Sequence, residues 1–445
     1  MTYEEKLNNV TVLGAAGKMG SGILLLTAIE MTDIFLKAGK EPGSMILNAI
    51  DVSAAALYGL RDYLRDQIRK IAEKKIVILR NLYSKNPFLI ENSEIIEHYI
   101  YDVMKHIVFT TRLESSYQST IIFEAVVEDP EIKINLLRQI AGNSNRDPWF
   151  FTNTSSVPVS ELEKGADLAG RIIGFHFYNP PAVQNLVELI TTDKTDKELV
   201  DFAKLYAKSL SKKIIPANDY PGFIGNGHFM RDLLFGFRMA EKLSDEFAFA
   251  GSIYAVNRIS QDFLIRPMGI FQLMDYVGID VCMKILEVMR SRLKDDQLHS
   301  ELIDKLISAR VNGGQNSDGS QKPGIFTYEK GKPVSVFDHD ILKYIPVDSF
   351  RKVIDLRLGN LPSSWKSWKE VVNNKNNQDY LKDYFSELKR SGTPGAKLAI
   401  EFLANSKKTG LDLVKWGVAD NIDNVNTVLL TGFYHAYGPV NDYLD

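Results

Sequence analysis

The first half of the chain alternates short apolar runs with longer amphipathic stretches. Residues 10–13 are an apolar run that stops at a glycine, which is typical of a buried parallel strand. A helix is predicted over residues 21–37, closed by a glycine- and proline-containing turn at 39–43. Further strands are predicted at 45–50, 120–123, 149–151 and 172–175, and further helices at 54–75 and 130–140. Strands that alternate with helices predict a parallel, doubly wound α/β sheet.

The pattern changes after about residue 221. Long amphipathic stretches at 229–242 and 271–293 predict helices, no strand pattern continues, and residues 311–332 predict a loop. A weak repeat runs through this half: Asn257 precedes Gly269 by the same spacing as Asn426 precedes Gly438. Two aspartates follow at unequal distances, so the match could be chance. We expect an all-α C-terminal region of two related helical units, with domains at 1–216, 217–335 and 336–445.

Composition narrows the partners. The 445 residues are 45% hydrophobic, and the net charge of −3 gives no electrostatic reason to bind nucleic acid or an anionic membrane. The single cysteine excludes an internal disulfide and a thiolate metal site, so no metal is expected. The N-terminus lacks a signal-peptide pattern, and Glu30 and Asp33 interrupt the richest apolar stretch. We expect a cytoplasmic protein that does not bind a membrane.

A glycine turn joins the first strand to the first helix. Gly14, Gly17 and Gly20 have the spacing Gly-x-x-Gly-x-x-Gly, with Lys18 and Met19 inside the motif. Glycines at such a turn let the backbone approach a pyrophosphate, and the helix N-terminus meets the phosphates with its N–H groups. The sequence therefore predicts a Rossmann-type dinucleotide-binding domain that uses these five residues.

Asp51 closes the second predicted strand. A carboxylate at this position accepts hydrogen bonds from the adenosine ribose and repels a 2′-phosphate, which favours NAD over NADP. The alternative is an ordinary surface aspartate at the end of a strand.

Several segments, in this order and spacing, resemble the 3-hydroxyacyl-CoA dehydrogenase family. They are Phe-Glu-Ala-Val-Val-Glu-Asp at 123–129, Thr-Asn-Thr-Ser-Ser at 152–156, Gly-Phe-His-Phe-Tyr-Asn-Pro-Pro at 174–181 with Leu-Val-Glu at 186–188, and Pro-Gly-Phe-Ile-Gly-Asn at 221–226. Residues 267–278 and 322–328 resemble segments of the family's helical domain. The resemblance covers roughly residues 8–330, and more faintly 390–445.

The resemblance implies the catalytic roles, and the oxidation of an alcohol requires the same groups. Alcohol oxidation needs a base, and His176 at the end of a strand would take the hydroxyl proton. Glu188 would accept a hydrogen bond from the other ring nitrogen and stabilise the imidazolium. Ser155 would bind the substrate oxygen, with Ser156 as the competing candidate. Asn226 would hold the same oxygen or help to place the nicotinamide; for Ser155 and Asn226 the alternative is helix capping.

The resemblance also assigns residues around the cofactor. Glu124 and Asn153 would line the nicotinamide side of the cleft. The sequence departs from the family at Asn185, where a lysine is frequent, and after Asn226, where glycine and histidine replace the usual arginine. These departures bear on acyl-chain preference and local packing more than on the reaction.

Coenzyme A carries phosphates and needs cations. The predicted helix at 54–75 ends in a basic cluster that resembles the family's coenzyme-contacting arm, and Lys74 is its best candidate ligand. The cluster comprises Arg69, Lys70, Lys74 and Lys75. The alternative is a solvated helix end stabilised by the helix dipole.

The sequence thus predicts an NAD-dependent dehydrogenase that oxidises (S)-3-hydroxyacyl-CoA to 3-oxoacyl-CoA. Two alternatives are a dehydrogenase of a free hydroxy acid and a non-catalytic NAD-binding protein on the same scaffold. Because a duplicated helical unit could pack on itself within one chain, both a monomer and a homodimer are expected possibilities.

Overall fold

The computed structural model describes residues 2–38, 45–316 and 319–444. The chain divides into two compact units, Met1–Asp219 and Tyr220–Asp445. The second unit contains both segments that were predicted as separate helical domains, so their division at residue 335 stays a prediction. The turn predicted at 39–43 lies outside the described residues.

The first unit is built on an eight-stranded sheet with the order β3-β2-β1-β4-β5-β6-β7-β8. Its strands are β1 Asn9–Leu13, β2 Ile46–Ile50, β3 Ile107–Thr110, β4 Ile121–Glu124, β5 Trp149–Thr152, β6 Ile172–Phe177, β7 Leu186–Ile190 and β8 Lys213–Ala217. All neighbouring strands are parallel except β6 and β7, which are antiparallel. The predicted doubly wound sheet is confirmed, with one reversed connection that the sequence pattern did not reveal.

Helices connect and cover these strands. They are α1 Tyr3–Lys6, α2 Lys18–Lys37, α3 Ala54–Lys74, α4 Ile76–Leu82, α5 Asn92–Met104, α6 Pro130–Asn143, α7 Val159–Ala166 and α8 Lys197–Ser209. The strands β4 to β7 are buried on both faces, which explains why they are continuous apolar runs rather than alternating ones. By length and composition α2 could cross a membrane, but most of its apolar window is buried within this unit, as in a core helix.

An arm of three helices, α3 to α5, extends the edge of this unit. Two buried or half-buried aspartates fasten it. Asp33 of α2 accepts hydrogen bonds from Lys75 Nζ at 2.6 Å and from the Tyr99 hydroxyl at 2.7 Å. Asp102 accepts from the Tyr83 hydroxyl at 2.7 Å and from Lys105 Nζ at 2.8 Å. The arm is therefore tied by charge-assisted hydrogen bonds as well as by apolar packing.

The second unit is mainly helical. Its helices are α9 Gly225–Arg258, α10 Ile270–Val277, α11 Ile279–Leu293, α12 Glu301–Ser308, α13 Arg351–Leu358, α14 Trp368–Val372, α15 Asn377–Ser391, α16 Pro394–Lys415 and α17 Ile422–Gly432. The amphipathic stretch 271–293 is two helices rather than one, because Gly278 adopts φ 114° between them. One continuous core joins residues of 229–337 with residues of 347–437.

The absence of strands after residue 221 was predicted wrongly. A three-stranded antiparallel sheet is formed by β9 Phe326–Glu329, β10 Lys332–Asp338 and β11 Lys343–Pro346. Part of it lies inside the predicted loop. These strands are short and mostly half-exposed, so they carry little of the apolar signal that marks a strand in sequence.

The weak repeat has a structural counterpart. Asn257 Oδ1 accepts from the Gln272 backbone N–H at 3.1 Å, and Asn426 Oδ1 accepts from the Val440 N–H at 3.0 Å. In each copy the asparagine side chain occupies the space where a Cβ on the repeated glycine, Gly269 or Gly438, would lie. The aspartates that follow do not correspond, since one is buried and the other is exposed. Of the three matched positions, the asparagine and the glycine therefore have the same structural role in both copies.

We predict that Gly269→Ala destabilises the second unit by about 1 to 3 kcal/mol, because the new Cβ would overlap the side chain of Asn257. Gly59→Ala is the matched control, since that helical glycine has open space around its Cβ position. It is expected to stabilise the protein by about 0.5 to 1 kcal/mol. Urea unfolding followed by circular dichroism measures both changes, and equal effects would contradict the assignment.

Candidate active site

The glycine turn between β1 and α2 is tightly packed. Gly14 has φ +71°, and a Cβ on it would lie 2.5 Å from the carbonyl oxygen of Ala125. A Cβ on Gly20 would overlap the Gly14 carbonyl. Gly17 is the N-cap of α2, so Lys18, Met19 and Gly20 form its first turn, three residues earlier than predicted. A helix N-terminus behind a turn made only of glycine and alanine fits the pyrophosphate of a dinucleotide.

Asp51 lies against this turn. Its Oδ2 accepts from the Ala16 backbone N–H at 3.0 Å, and its Oδ1 accepts from the Ser53 N–H at 3.1 Å. Asp51 follows β2 and is half-buried. The carboxylate thus fixes the glycine turn, a role that the sequence reasoning did not foresee. Its contact with the ribose stays a prediction.

His176 and Glu188 face each other across the one antiparallel pair of the sheet. They are register partners on β6 and β7, and His176 Nδ1 lies 2.8 Å from Glu188 Oε2. Glu188 has no solvent exposure, and His176 has 7%. An ionised carboxylate in this position accepts the Nδ1 proton, which makes Nε2 the ring nitrogen that can take a proton from substrate. The predicted base and its carboxylate are therefore brought together.

The loop that joins these two strands is clasped by Lys212. Its Nζ donates to the carbonyl oxygens of Pro181 at 2.7 Å and Gln184 at 2.6 Å. Burial lowers the pKa of this ammonium to about 8. Pro181 in turn packs on Gly22 of α2, where a Cβ would come within 2.8 Å of the proline ring. The loop between base and carboxylate is thus tied to the helix that follows the glycine turn.

Asn153 supports the strand of the base. Its Oδ1 accepts from the Phe177 backbone N–H at 2.8 Å, next to His176. Asn153 follows β5, and it is half-buried. It therefore joins the carboxyl ends of β5 and β6. Its predicted place on the nicotinamide side stays a prediction.

Glu128 organises the serine loop after β5. Its Oε1 accepts from the backbone N–H groups of Ser155 and Ser156 at 2.8 and 2.9 Å, and from the Thr154 hydroxyl at 2.8 Å. The hydroxyls of Ser155 and Ser156 also reach it, at 3.2 and 2.9 Å. Ser156 is fully buried, whereas Ser155 is half-buried. Ser155 is therefore the better placed of the two serines to meet a substrate.

A buried lysine holds two carboxylates under this edge of the sheet. Lys133 Nζ lies 2.7 Å from Glu124 Oε1 and 3.3 Å from Glu128 Oε2. Glu124 also accepts from the Thr152 hydroxyl at 2.6 Å and from the Val126 N–H at 2.9 Å. Glu124 has no solvent exposure, and its predicted place on the nicotinamide side of the cleft stays a prediction. Its bonds to Thr152 and Val126 join the ends of β4 and β5. Lys133 offsets its charge, since an unpaired buried carboxylate would cost much free energy.

Sequence reasoning missed Glu128 and Lys133 as site residues. A signal was available: Glu128 lies just before Pro130 at a helix start, and Lys133 follows one turn later. The three consecutive hydroxyl residues at 154–156 are the matching donors. The pattern did not indicate which acidic residue they would surround.

Asn226 lies in the second unit, in the first turn of α9. The helix begins at Gly225, one residue before Asn226, and Ile224 before it makes no side-chain capping hydrogen bond. The contact of Asn226 with the reacting oxygen stays a prediction.

The basic cluster at the end of α3 is partly used within the arm. Lys75 pairs with Asp33 at 2.6 Å, and Arg69 pairs with Glu97 of α5. Lys74 is exposed and makes no ion pair with any residue that the structure describes. Of the cations expected to bind coenzyme A, Lys75 is therefore already paired with Asp33, whereas the ammonium of Lys74 is exposed to solvent.

Comparison with known proteins decides the family. The model described as "3-hydroxyacyl-CoA dehydrogenase, NAD binding domain" matches residues 9–220, and the corresponding C-terminal domain matches residues 248–322. A probable 3-hydroxybutyryl-CoA dehydrogenase of Deinococcus radiodurans is 30% identical over 221 residues, which is 49% of this chain and 77% of that protein. The chain belongs to the 3-hydroxyacyl-CoA dehydrogenase family. It is an NAD-dependent oxidoreductase, as predicted.

Other members extend the likeness along the chain. The human mitochondrial hydroxyacyl-coenzyme A dehydrogenase is 28% identical over 323 residues, 71% of this chain and 91% of that protein. A crystal structure of the 3-hydroxybutyryl-CoA dehydrogenase from Escherichia coli K12 aligns with a TM-score of 0.62 at 19% identity, covering 97% of this chain and 90% of that one. At this identity it shows the fold alone, and it confirms the predicted fold class over nearly the whole dehydrogenase.

We predict that Glu128→Gln weakens the protein and flattens its response to acid. Burial alone would raise the pKa of Glu128, but Lys133 and the hydroxyl and amide donors lower it to about 2. A depressed pKa contributes stability that is present above about pH 4.5 and is lost as the pH falls toward 2. The contribution at neutral pH is on the order of 3 kcal/mol.

Urea unfolding between pH 2 and pH 7 measures this effect. Glu131→Gln is the control, since that glutamate is exposed on α6, the helix that carries Lys133. An acid limb as steep in Glu128→Gln as in the wild type would show that Glu128 is not the group that titrates.

Proposed function

We propose that this dehydrogenase oxidises (S)-3-hydroxyacyl-CoA to 3-oxoacyl-CoA, in fatty-acid β-oxidation or butyrate-type metabolism. The observation that carries the proposal is the buried pair formed by His176 Nδ1 and Glu188 Oε2 at 2.8 Å. Relatives named as 3-hydroxyacyl-CoA and 3-hydroxybutyryl-CoA dehydrogenases support the substrate class. A neutral imidazole oriented by a carboxylate is the group that an alcohol oxidation requires.

The proton follows a short route. His176 Nε2 takes the proton of the 3-hydroxyl, and Glu188 stabilises the imidazolium that results. Bound NAD would supply the acceptor for the hydride that leaves C3 of the substrate. Ser155 holds the substrate oxygen, so that its lone pair and its proton point in fixed directions. The reverse reaction uses the imidazolium as the acid.

The cofactor and the coenzyme are assigned to separate parts of the first unit. The glycine turn and the first turn of α2 hold the pyrophosphate, Asp51 holds the ribose, and Asn153 borders the nicotinamide. The exposed ammonium of Lys74 meets a phosphate of coenzyme A, since its neighbour Lys75 is already paired with Asp33.

We further propose that the protein works in the cytoplasm and as a monomer, with a homodimer as the alternative. Support for the monomer comes from the second unit, in which α9 packs on α16 and the two related helical segments share one core. A chain that already contains both copies has covered that apolar face internally.

A panel of 3-hydroxyacyl-CoA substrates from C4 to C16, read as NADH absorbance, tests the activity. Turnover is expected with at least one chain length. His176→Gln should lower kcat on the order of 10² to 10⁴-fold, because glutamine cannot accept the hydroxyl proton. His98→Gln, a partly exposed histidine of the same unit, is the control and should retain the rate. Tight NADH binding without turnover of any substrate would instead favour a non-catalytic protein.

Lys74→Glu tests the coenzyme handle. Reversing this charge should raise KM for 3-hydroxybutyryl-CoA by about tenfold, which corresponds to losing one charge-assisted contact, and should leave kcat nearly unchanged. Lys204→Glu reverses another exposed helix lysine of the same unit as a control. If KM stays constant in Lys74→Glu while free 3-hydroxybutyrate is oxidised, the enzyme acts on a free hydroxy acid.

A further inference from the structure

A third side chain joins the histidine–glutamate pair. The Tyr178 hydroxyl donates to Glu188 Oε2 at 3.0 Å, and this is the same oxygen that accepts from His176 Nδ1 at 2.8 Å. The rings of Tyr178 and His176 lie 5.1 Å apart, centroid to centroid, with 45° between their planes. Both residues are on the carboxyl end of β6 and its extension, two positions apart, so they reach the same face of the sheet.

Two donors on one oxygen compete for the same negative charge. A hydrogen bond to a carboxylate stabilises its anionic form and makes that oxygen a weaker acceptor for any other donor. Glu188 stabilises the imidazolium form of His176, so each further hydrogen bond that Glu188 accepts weakens this stabilisation. The hydroxyl therefore acts on the basicity of His176 without contacting the reacting atoms.

We propose that Tyr178 is a positioning residue that weakens His176 as a base and so sets the pH range of the enzyme. The inference rests on the proposed function, because it assigns to His176 the role of base. Phenylalanine at this position would supply the same ring packing without the hydroxyl. The proposed effect on His176 therefore depends on the Tyr178 hydroxyl alone.

The surroundings keep this donor in place. Burial first and the Glu188 carboxylate second raise the pKa of Tyr178 well above its usual range, so the hydroxyl remains a donor at every working pH. Of the strands that flank β7, β6 contributes His176 and leads directly into Tyr178, and β8 pairs Glu188 with the uncharged Ile215. Lys212, which lies on the loop before β8, donates to two backbone carbonyls of the loop between β6 and β7.

Tyr178→Phe tests the proposal. Without the competing donor, Glu188 stabilises the imidazolium more strongly, and the pKa of His176 should rise by about 0.5 to 1 unit. The acid limb of kcat/KM for alcohol oxidation should move to higher pH by that amount. The alkaline limb of the reverse reaction should move in the same direction, since it requires the protonated imidazole. A merely structural tyrosine would lower the rate at all pH values and leave both limbs in place.

Two further variants sharpen the result. Tyr178→3-fluorotyrosine keeps the packing but makes a stronger donor, so the limbs should move to lower pH by about 0.3 unit. It also answers the question if Tyr178→Phe fails to fold. Tyr206→Phe is the control, because that buried hydroxyl bonds Thr27 at 2.8 Å and belongs to the core. Limbs that do not move, or that move in the opposite direction, would overturn the proposal.

The His176 pKa can also be read without turnover. NMR titration of the imidazole in the NAD-bound protein, wild type and Tyr178→Phe, reports the shift directly. A shift without any turnover would refute the proposed substrate and keep the coupling of Tyr178 to His176. Turnover without a shift would refute the coupling and keep the proposed function.

Discussion

The structure of the catalytic edge depends on the reversal between β6 and β7. In a sheet that is otherwise parallel, this one antiparallel pair sets His176 directly opposite Glu188, at the register where side chains share a face. A parallel crossover would need a dozen or more residues before the next strand, whereas β7 begins nine residues after β6 ends. The short reversal therefore places base and carboxylate opposite each other, and their side chains meet at 2.8 Å.

Buried charge organises the neighbouring loops. Lys133, with 1% exposure, neutralises Glu124 and bridges to Glu128, and Glu128 in turn gathers the donors of residues 154–156. Charges taken out of water are costly unless each lone pair finds a donor, and here nearly every oxygen does. Such a network costs free energy if any member is removed, so it keeps the serine loop in one conformation before substrate arrives.

The second unit meets a different constraint. Two helical segments of similar design share one apolar core, and in each an asparagine fills the space beside a glycine and bonds the backbone just after it. The close approach is possible only because glycine has no Cβ. The same geometry in both segments agrees with a duplicated unit, in which the apolar face of one copy is covered by the other.

Much of this protein follows from the sequence. The apolar runs, the glycine turn and the acidic end of β2 are local features whose physics operates within a few residues, so they predicted the parallel sheet and the cofactor. The motifs around His176 and Glu188 predicted the family. Tertiary structure alone decided which donors meet which carboxylates. Glu128 accepts from the serine loop, Glu124 pairs with Lys133, and Asp33 pairs with Lys75. The hydroxyl of Tyr178 and the ring of His176 both bond one oxygen of Glu188. Those choices depend on distances between residues far apart in the chain, and only the packed backbone sets them.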